Sequence, residues 1–225
     1  LYFNKNGGVD KKTYLSEVRN GVTCGTLWSY EDVGHSHGNN EALAEIVGKG
    51  VFSDPKGTDL ILRILQISTQ SKKDNNCIVL DFFSGSGTTA HAVMLKNHLD
   101  SGNRKFICVQ LAEQIDPKEK KAAYDFCQSL GIPANIAEIA KERIRRAGRQ
   151  ISDGLQDGSE IDTGFKVFKL AKSGFKQWRQ PGQADKEALQ RELLLNIDSV
   201  LSETPSENLL YELMLRMGLK LTCKV

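Results

Sequence analysis

The chain of 225 residues is 40% hydrophobic and 26% charged, and its 30 basic and 28 acidic residues leave a formal net charge of +2. This composition is typical of a globular protein with one domain and part of a second, and the small net charge excludes a nucleic-acid interface that covers the whole surface. The five cysteines form no CxxC pair and no apolar run reaches the ~18 residues of a membrane span, so we expect a cytoplasmic protein with reduced thiols, no metal site and no membrane partner.

The first 57 residues are rich in Gly, Asn and Ser, and only EALAEIVG at 41–48 has periodic apolar positions. They predict loops, short strands and one short helix. A longer helix is predicted from Thr58, an N-cap residue at the start of TDLILRILQIST. The face of this helix that we expect to be buried consists of Ile61, Ile64, Leu65 and Ser68.

A strand, a helix and a second strand follow. CIVLDFF at 77–83 and KFICVQL at 105–111 are short runs of β-branched and aromatic residues, and the segment 88–99 between them has helical character. Two strands joined by a helical crossover predict a parallel βαβ unit.

Two more helices and a third strand are predicted next. The segment PKEKKAAYDFCQSLG opens with Pro117 and closes with Gly131, the asymmetry expected of a helix. The second helix is IAEIAKERIRRAGRQI at 136–151, and the alternating GFKVFKL at 164–170 predicts a strand.

The end of the chain predicts a helical extension. The polar stretch 176–186 is the best candidate for a linker. Beyond it, 187–203 and 207–218 have the pattern of two helices, and LKLTCKV at 219–225 that of a strand which has only begun.

The junction between the first strand and its helix, DFFSGSGTTAHAV, carries the chemistry. Gly85, Gly87 and Ala90 satisfy G-x-G-x-x-A between a strand and a helix, the looser form of a nucleotide-binding fingerprint. Glycine permits positive φ and removes the Cβ that would keep a ligand from the backbone, and the helix start directs N–H groups at the ligand. The loop predicts a nucleotide-like ligand, the alternative being a tight turn without one.

Two carboxylates narrow the choice of ligand. Glu113 follows the second strand, where a carboxylate can accept both hydroxyls of a ribose. Asp81, directly before the glycines, would repel a pyrophosphate but suits a cationic amino group, and S-adenosylmethionine carries such a group and no phosphate. The absence of GK[ST] excludes a P-loop. S-adenosylmethionine is therefore favoured over NAD, and a nicotinamide-dependent oxidoreductase stays as the weaker alternative.

The chain also resembles a known family. LDFFSGSGTTAHAV resembles the F-x-G-x-G cofactor motif of amino-methylating DNA methyltransferases, in the permuted order in which the catalytic motif precedes the cofactor motif. Further blocks resemble, in the same order, the second half of the Mod subunits of type III restriction-modification systems: GTLWSYEDVGHSHGNNEALAEIVG, VFSDPKGTDLILRIL, RKFICVQLAE, IAKERIRRAGRQI and DTGFKVFKL. The resemblance covers most of the chain.

This resemblance implies an α/β fold with a partial Rossmann-like methyltransferase sheet, flanking helices and a helical C-terminal extension. It divides the chain into the end of a target-recognition or connecting region at 1–57, the S-adenosylmethionine-binding part of the methyltransferase domain at 58–175, and a truncated helical extension at 176–225.

The resemblance also implies roles for single residues. Asp81 would contact the amino group of the cofactor, Glu113 would hold the ribose, and Lys56 would close the pocket from the other side. The whole set of implied cofactor-binding residues is Lys56, Asp81, Phe82, Phe83, Ser84, Gly85, Gly87, Thr88, Thr89 and Glu113. Gly57 departs from the family, which usually has proline after the lysine. We further expect that valine at position 87 would abolish binding with little loss of fold.

The catalytic segment of such enzymes, [D/N/S]-P-P-[Y/F], is absent, because none of the five prolines is adjacent to another. In the permuted order this segment would lie upstream of Leu1. We therefore expect a piece of a larger protein that has no catalytic residue of its own and is inactive alone.

The implied parent would transfer a methyl group from S-adenosylmethionine to N6 of adenine in double-stranded DNA, with the base turned out of the stack. It would form a Mod homodimer and pair with an ATP-dependent restriction subunit, Res. The alternative of a different class is a cofactor-binding or assembly module without catalysis.

Other residues support weaker interpretations. The helix 136–151 carries a basic run that either meets phosphates or forms a solvated face paired with Glu138 and Glu142. We interpret His35 and His37 as exposed loop residues, not metal ligands. The basic run consists of Lys141, Arg143, Arg145, Arg146 and Arg149.

Overall fold

A computed structural model describes residues 2–3, 5–11, 14, 24–69, 76–155, 161–177, 186–195 and 199–221. The chain divides into two compact units, Leu1–Gly164 and Phe165–Val225.

The first unit mixes helices with short strands. Its elements in chain order are β1 (Tyr2–Phe3), β2 (Val9–Asp10), α1 (Tyr30–Val33), α2 (Ser36–Val47), α3 (Thr58–Ser68), β3 (Ile78–Asp81), α4 (Thr88–Asp100), β4 (Lys105–Cys108), α5 (Lys121–Ser129) and α6 (Ile136–Asp153). β1 and β2 pair as an antiparallel ribbon, and β3 and β4 as a small parallel sheet.

The parallel pair confirms the predicted βαβ unit. Ile78 lies opposite Lys105 and Asp81 opposite Cys108, with α4 as the crossover between the strands. The Val109 N–H donates to the Asp81 carbonyl at 2.8 Å, so the pairing continues one residue beyond β4. The carboxyl ends of both strands therefore lie side by side, next to the glycine loop.

One face of the parallel sheet is covered by helices. Leu65 of α3 forms a buried cluster with Ala92 and Val93 of α4, and Val79 and Phe106 of the two strands pack against it. The helix predicted from Thr58 is present, with Gly57 as its N-cap. Its buried face differs from the predicted one, because α3 packs through Ile61, Leu62 and Leu65 and leaves Ile64 and Ser68 exposed.

The other face of the parallel sheet is exposed and apolar. Ile78 and Leu80 of β3 and Ile107 of β4 point away from the helices and are each about half exposed or more. Parallel sheets are normally covered on both faces, since βαβ connections place helices on each side. We refer to Ile78, Leu80 and Ile107 as the open sheet face.

A second core joins α2, α5 and α6. The helix predicted at 41–48 is longer than expected and begins at Ser36, because the His35 side chain accepts the Gly38 N–H and caps it. The buried members of this core are Leu43, Ile46, Val47, Val51, Ile115, Ala123, Cys127 and Ile139.

Two further predicted elements are wrong in extent or kind. The helix expected from Pro117 begins at Lys121, because Asp116 accepts the N–H groups of Lys118 and Lys120 in a preceding turn. The stretch 164–170 has no strand, since alternation alone does not make a strand without a neighbouring strand to pair with.

The described residues of the second unit form two helices, α7 (Lys186–Leu195) and α8 (Ser206–Arg216). The helix predicted over 187–203 therefore ends early, and residues 199–205 are not helical. Of the expected linker and final strand, residues 178–185 and 222–225 lie outside the described part of the chain. Within the described residues, none of the helices combines the length and apolarity that a membrane crossing requires.

Arg104 stabilises the junction between α3, α4 and β4. Its side chain is 1% exposed and forms a two-pronged ion pair with Asp100, with both N–O distances at 2.9 Å. The same guanidinium donates to the Thr69 carbonyl at 3.0 Å and to the Thr69 hydroxyl at 2.8 Å. Burial raises the pKa of Asp100, but Arg104 and Lys96 lower it by more, so the pKa lies below its usual 3.8.

We expect Arg104→Met to lower the free energy of unfolding by about 3 kcal/mol, because the change leaves buried acceptors without a donor. Urea denaturation at neutral pH measures this. Since the folded pKa of Asp100 is depressed, the ion pair stabilises the fold above pH 3.8 and its contribution disappears as the pH falls through the folded value.

The difference in the free energy of unfolding between wild type and Arg104→Met should accordingly become smaller in acid. The control is Lys121→Met, which removes an i,i+4 ion pair with side chains 78% and 56% exposed and should change stability by less than about 1 kcal/mol. Equal losses in the two variants would contradict this role of Arg104.

Candidate functional site

A cavity of about 200 Å³ lies at the carboxyl end of β3. It is formed by the segment before α3, by α3 itself and by the glycine loop at the start of α4. The resemblance implied that Lys56 and the glycine loop would share a pocket, and both line this cavity. The lining residues are Phe52, Asp54, Pro55, Lys56, Ile61, Asp81, Phe83, Ser84, Gly85, Ser86, Thr88 and Thr89.

The glycine loop is held by hydrogen bonds within the protein. Gly85 and Gly87 have φ of +52° and +82°, so the predicted need for positive φ is present at both. The Ser84 N–H donates to the Val109 carbonyl at 3.2 Å, the Gly87 N–H to the Ser84 carbonyl at 2.7 Å, and the Gly85 N–H to the Gln110 side chain at 2.7 Å. Sequence reasoning missed Gln110, whose only signal was a polar residue just past the second strand.

Asp81 connects the loop to α4. Its Oδ1 accepts the Phe83 N–H at 3.1 Å, and its Oδ2 accepts the Thr89 hydroxyl at 2.5 Å. A carboxylate has about four acceptor directions, so these two bonds leave capacity for a further donor. Asp81 can therefore hold the loop and accept a ligand amino group at the same time.

The segment before α3 is tied to the loop through Lys56. The Thr88 hydroxyl donates to the Lys56 carbonyl at 3.1 Å, while the Lys56 side chain is exposed. Gly57 is the departure from the family pattern, and it packs against the side chain of Asn39. A Cβ at position 57 would lie 2.5 Å from the Asn39 Oδ1 atom, which is too close. The amide of Asn39 fills the space that a proline ring would need.

Three of the predicted residues do not line the cavity: Phe82, Gly87 and Glu113. A Cβ at position 87 would lie 3.0 Å from Ile144 Cγ1 and 3.3 Å from the Ala140 carbonyl, both on α6. These contacts direct a valine side chain at 87 toward α6, which argues against the expectation that it would fill the ligand's place and spare the fold. Glu113 is exposed, and its carbonyl accepts the Ile136 N–H at 3.1 Å.

Arg143 lies behind the glycine loop. The sequence did not indicate this position. Arg143 is 3% exposed, and its Nη1 donates to the Ser86 hydroxyl at 2.5 Å and to the Thr88 hydroxyl at 2.6 Å. Burial lowers the pKa of Arg143 to about 10, so the side chain is charged at neutral pH. Burial, with the positive charge of Arg143, lowers the pKa of His91 to about 4, which keeps that imidazole neutral.

The rest of the basic run on α6 is paired with acidic residues of the same helix. Glu142 forms ion pairs with Arg145, Arg146 and Arg149, and Glu138 pairs with Lys141. The interpretation of a paired helix face is supported for these four residues.

The two histidines belong to the start of α2 and not to a loop. His35 is its N-cap, and the His37 Nε2 atom lies 3.3 Å from the Glu41 Oε1 atom. In the described parts of the chain, no three His, Cys, Asp or Glu side chains are arranged to hold a metal ion.

Comparison with known proteins gives consistent matches. Residues 4–118 match the family described as DNA methylase. The chain is 32% identical over 174 residues to the type III restriction-modification enzyme StyLTI Mod subunit of Salmonella typhimurium, covering 76% of this chain and 24% of that protein. It is 39% identical over 143 residues to the EcoPI Mod subunit of Escherichia phage P1, covering 64% of this chain and 20% of that one.

A third relative belongs to another restriction-modification type. The type II methyltransferase M.KpnI of Klebsiella pneumoniae is 39% identical over 110 residues, which are 49% of this chain and 25% of the relative. The chain spans between 13% and 25% of the length of these and one further curated relative that it matches.

Proposed function

The chain belongs to the DNA methylase family, and from this premise we propose that its cavity binds S-adenosylmethionine for a parent protein that methylates N6 of adenine in double-stranded DNA. The observation that carries the proposal is the arrangement of the glycine loop: it lines a cavity at the carboxyl end of a parallel strand and carries a carboxylate, Asp81, beside that cavity. Such strand ends are where α/β proteins bind ligands.

The hydrogen bonding of the loop supports a ligand without phosphate. Loops that bind phosphate offer several unpaired backbone N–H groups to the anion. Here the N–H groups of Phe83, Ser84, Gly85 and Gly87 all donate to acceptors within the protein. A pyrophosphate could not use these four N–H groups without breaking their bonds, and it would approach the Asp81 carboxylate, whereas a cationic amino group would gain an acceptor.

The cavity also fits the apolar part of the cofactor. A Cβ at Gly85 would lie 3.6 Å from the ring of Phe52, so glycine leaves open the space next to an aromatic wall. Phe83, which lines the same cavity, is 87% exposed, and an aromatic ring in this position gains from contact with a planar ligand. The two phenylalanines supply surfaces for a nucleoside.

When bound, S-adenosylmethionine supplies a methyl group on a positively charged sulfur. This chain's residues would hold and orient that group: Asp81 would accept the amino group, and the glycine loop would bring its backbone against the methionine end. Glu113 does not line the cavity, and it would reach the ribose through a turn of the segment after β4 toward the cavity.

The size of the cavity supports a site that is completed by other residues. Its volume of about 200 Å³ lies below the ~300–1,000 Å³ of most small-molecule sites. We propose that the segment upstream of Leu1 in the parent supplies the missing wall and the [D/N/S]-P-P-[Y/F] catalytic residues, and covers the open sheet face. The result would be a complete Rossmann-like sheet.

The remaining features of the parent are proposed from its relatives, which include Mod subunits. We propose a Mod homodimer that pairs with a Res subunit and acts on DNA in the cytoplasm. This chain alone would contain the cofactor half of the site without the catalytic half.

Calorimetric titration of the 225-residue chain tests the cofactor assignment. We expect S-adenosylmethionine and S-adenosylhomocysteine to bind at least about tenfold more tightly than NAD, because only NAD brings a pyrophosphate to Asp81. Tighter binding of NAD would overturn the assignment and favour a nicotinamide-dependent protein.

A further inference from the structure

Arg143 is a buried cation with neutral partners only. Its side chain is 3% exposed, and within the described residues it forms no ion pair, while its Nε atom has no hydrogen-bond partner. The neighbouring arginines of α6 are all paired with Glu142. An unpaired charge in a protein interior is strongly unfavourable, so a nearby anion would be attracted to it.

The charge of Arg143 reaches the cavity through two hydroxyl groups. Ser86 and Thr88 both line the cavity, and both accept hydrogen bonds from Arg143 Nη1. A hydroxyl that accepts one bond keeps its own hydrogen for another acceptor. The hydrogen of Thr88 goes to the Lys56 carbonyl. The Ser86 hydroxyl makes only a long contact of 3.4 Å with the Thr88 oxygen, so its hydrogen can turn toward a stronger acceptor on a ligand.

The cavity therefore offers a negative group to a ligand cation and a positive group to a ligand anion. Asp81 offers acceptor capacity, and Ser86 offers a donor that is polarised by Arg143 behind it. An α-amino acid is a zwitterion whose ammonium and carboxylate need one group of each kind. The amino-acid end of S-adenosylmethionine has this chemistry.

We infer that Arg143 is a positioning residue for the carboxylate at the amino-acid end of the cofactor, acting through the Ser86 hydroxyl. The inference rests on the proposed function of the cavity and deepens it. Charge-assisted hydrogen bonding makes Ser86 a stronger donor to the carboxylate, and the carboxylate compensates the buried charge of Arg143.

The test compares two ligands of the 225-residue chain by calorimetric titration. S-adenosylhomocysteine has the amino-acid end, whereas 5′-methylthioadenosine shares the nucleoside and the thioether and lacks that end. We expect Arg143→Met to weaken binding of S-adenosylhomocysteine by about tenfold, the effect of losing one charge-assisted hydrogen bond, and that of 5′-methylthioadenosine by less than about twofold.

Further variants separate positioning from folding. Ser86→Ala should show the same selective loss, and Arg143→Lys, which keeps the charge, should recover part of the affinity for S-adenosylhomocysteine. Arg149→Met is the matched control, because Arg149 lies on the same helix with its side chain 66% exposed, and it should change neither affinity. If Arg143→Met does not fold, Ser86→Ala carries the test.

Two results would overturn the inference. An equal loss of both ligands in Arg143→Met and Ser86→Ala would mean that these residues only support the fold, and an unchanged affinity for S-adenosylhomocysteine would exclude any role in binding. Failure of the wild-type chain to bind either ligand would instead reject the proposed function itself, and the inference with it.

Discussion

Gly87→Val is expected to lower the free energy of unfolding by about 4 kcal/mol, combining a strained backbone with overpacking. The φ of +82° is unfavourable for a β-branched residue, and the new Cβ would lie 3.0 Å from Ile144 Cγ1 and 3.3 Å from the Ala140 carbonyl. Both neighbours are buried residues of α6, Ala140 at 5% and Ile144 at 4% exposed, so neither can move out into solvent. Urea denaturation of the variant and the wild type measures the effect.

The matched control is Gly85→Val, two residues earlier in the same loop. Its φ of +52° adds a comparable backbone strain, but its Cβ would meet only ordinary contacts, with Phe52 at 3.6 Å. We expect a loss of about 2 kcal/mol in stability there, together with loss of S-adenosylhomocysteine binding, because the valine would occupy the cavity. If Gly87→Val is the more stable of the two variants, the packing of α4 against α6 has been misassigned.

The 225-residue chain alone is expected to give no detectable methylation of DNA, even with saturating cofactor. Methyl transfer requires the adenine amino group to be held in line with the sulfonium, and alignment of two reactants accounts for about 7–11 kcal/mol of a barrier. The chain contains no [D/N/S]-P-P-[Y/F] segment to supply the acceptors and the stacking aromatic. Incubation with labelled S-adenosylmethionine and mixed-sequence duplex DNA measures the transfer.

In a second version of this assay, the 225-residue chain is mixed with a polypeptide that supplies the upstream half of a Mod relative. We expect label in the DNA only when both polypeptides are present, because together they would complete the sheet and the site. Labelled DNA from the 225-residue chain alone would refute the interpretation as a partial enzyme. It would indicate a catalytic group within 1–225 that the motifs do not reveal.

Local patterns were sufficient to predict the part of the fold that forms the site. The βαβ unit follows from two short β-branched runs and the helical segment between them, and the positive φ of Gly85 and Gly87 follows from their position between strand and helix. Lys56 was placed at the cavity by resemblance to the family and not by any local signal. Its partner Thr88, 32 positions later, is its neighbour only in the folded chain.

The failures share a dependence on contacts that are distant in sequence. The alternation of 164–170 is that of a strand, but a strand requires a partner, and the pattern carries no information about one. Arg143 looked like part of a basic face, since a helical wheel cannot tell which arginine turns toward α4. Which atoms a Cβ at position 87 would meet likewise depends on where α6 packs.

The internal bonding of the glycine loop determines how this site can change during evolution. Because Phe83, Ser84, Gly85 and Gly87 direct their N–H groups to other protein atoms, the protein itself holds the loop in its shape without a ligand. A ligand that binds there does not have to order the backbone, and little conformational entropy is lost on association. Selectivity then resides in a few side chains at the rim, so substitutions at Asp81 or Ser86 could retune the ligand while the loop itself stays the same.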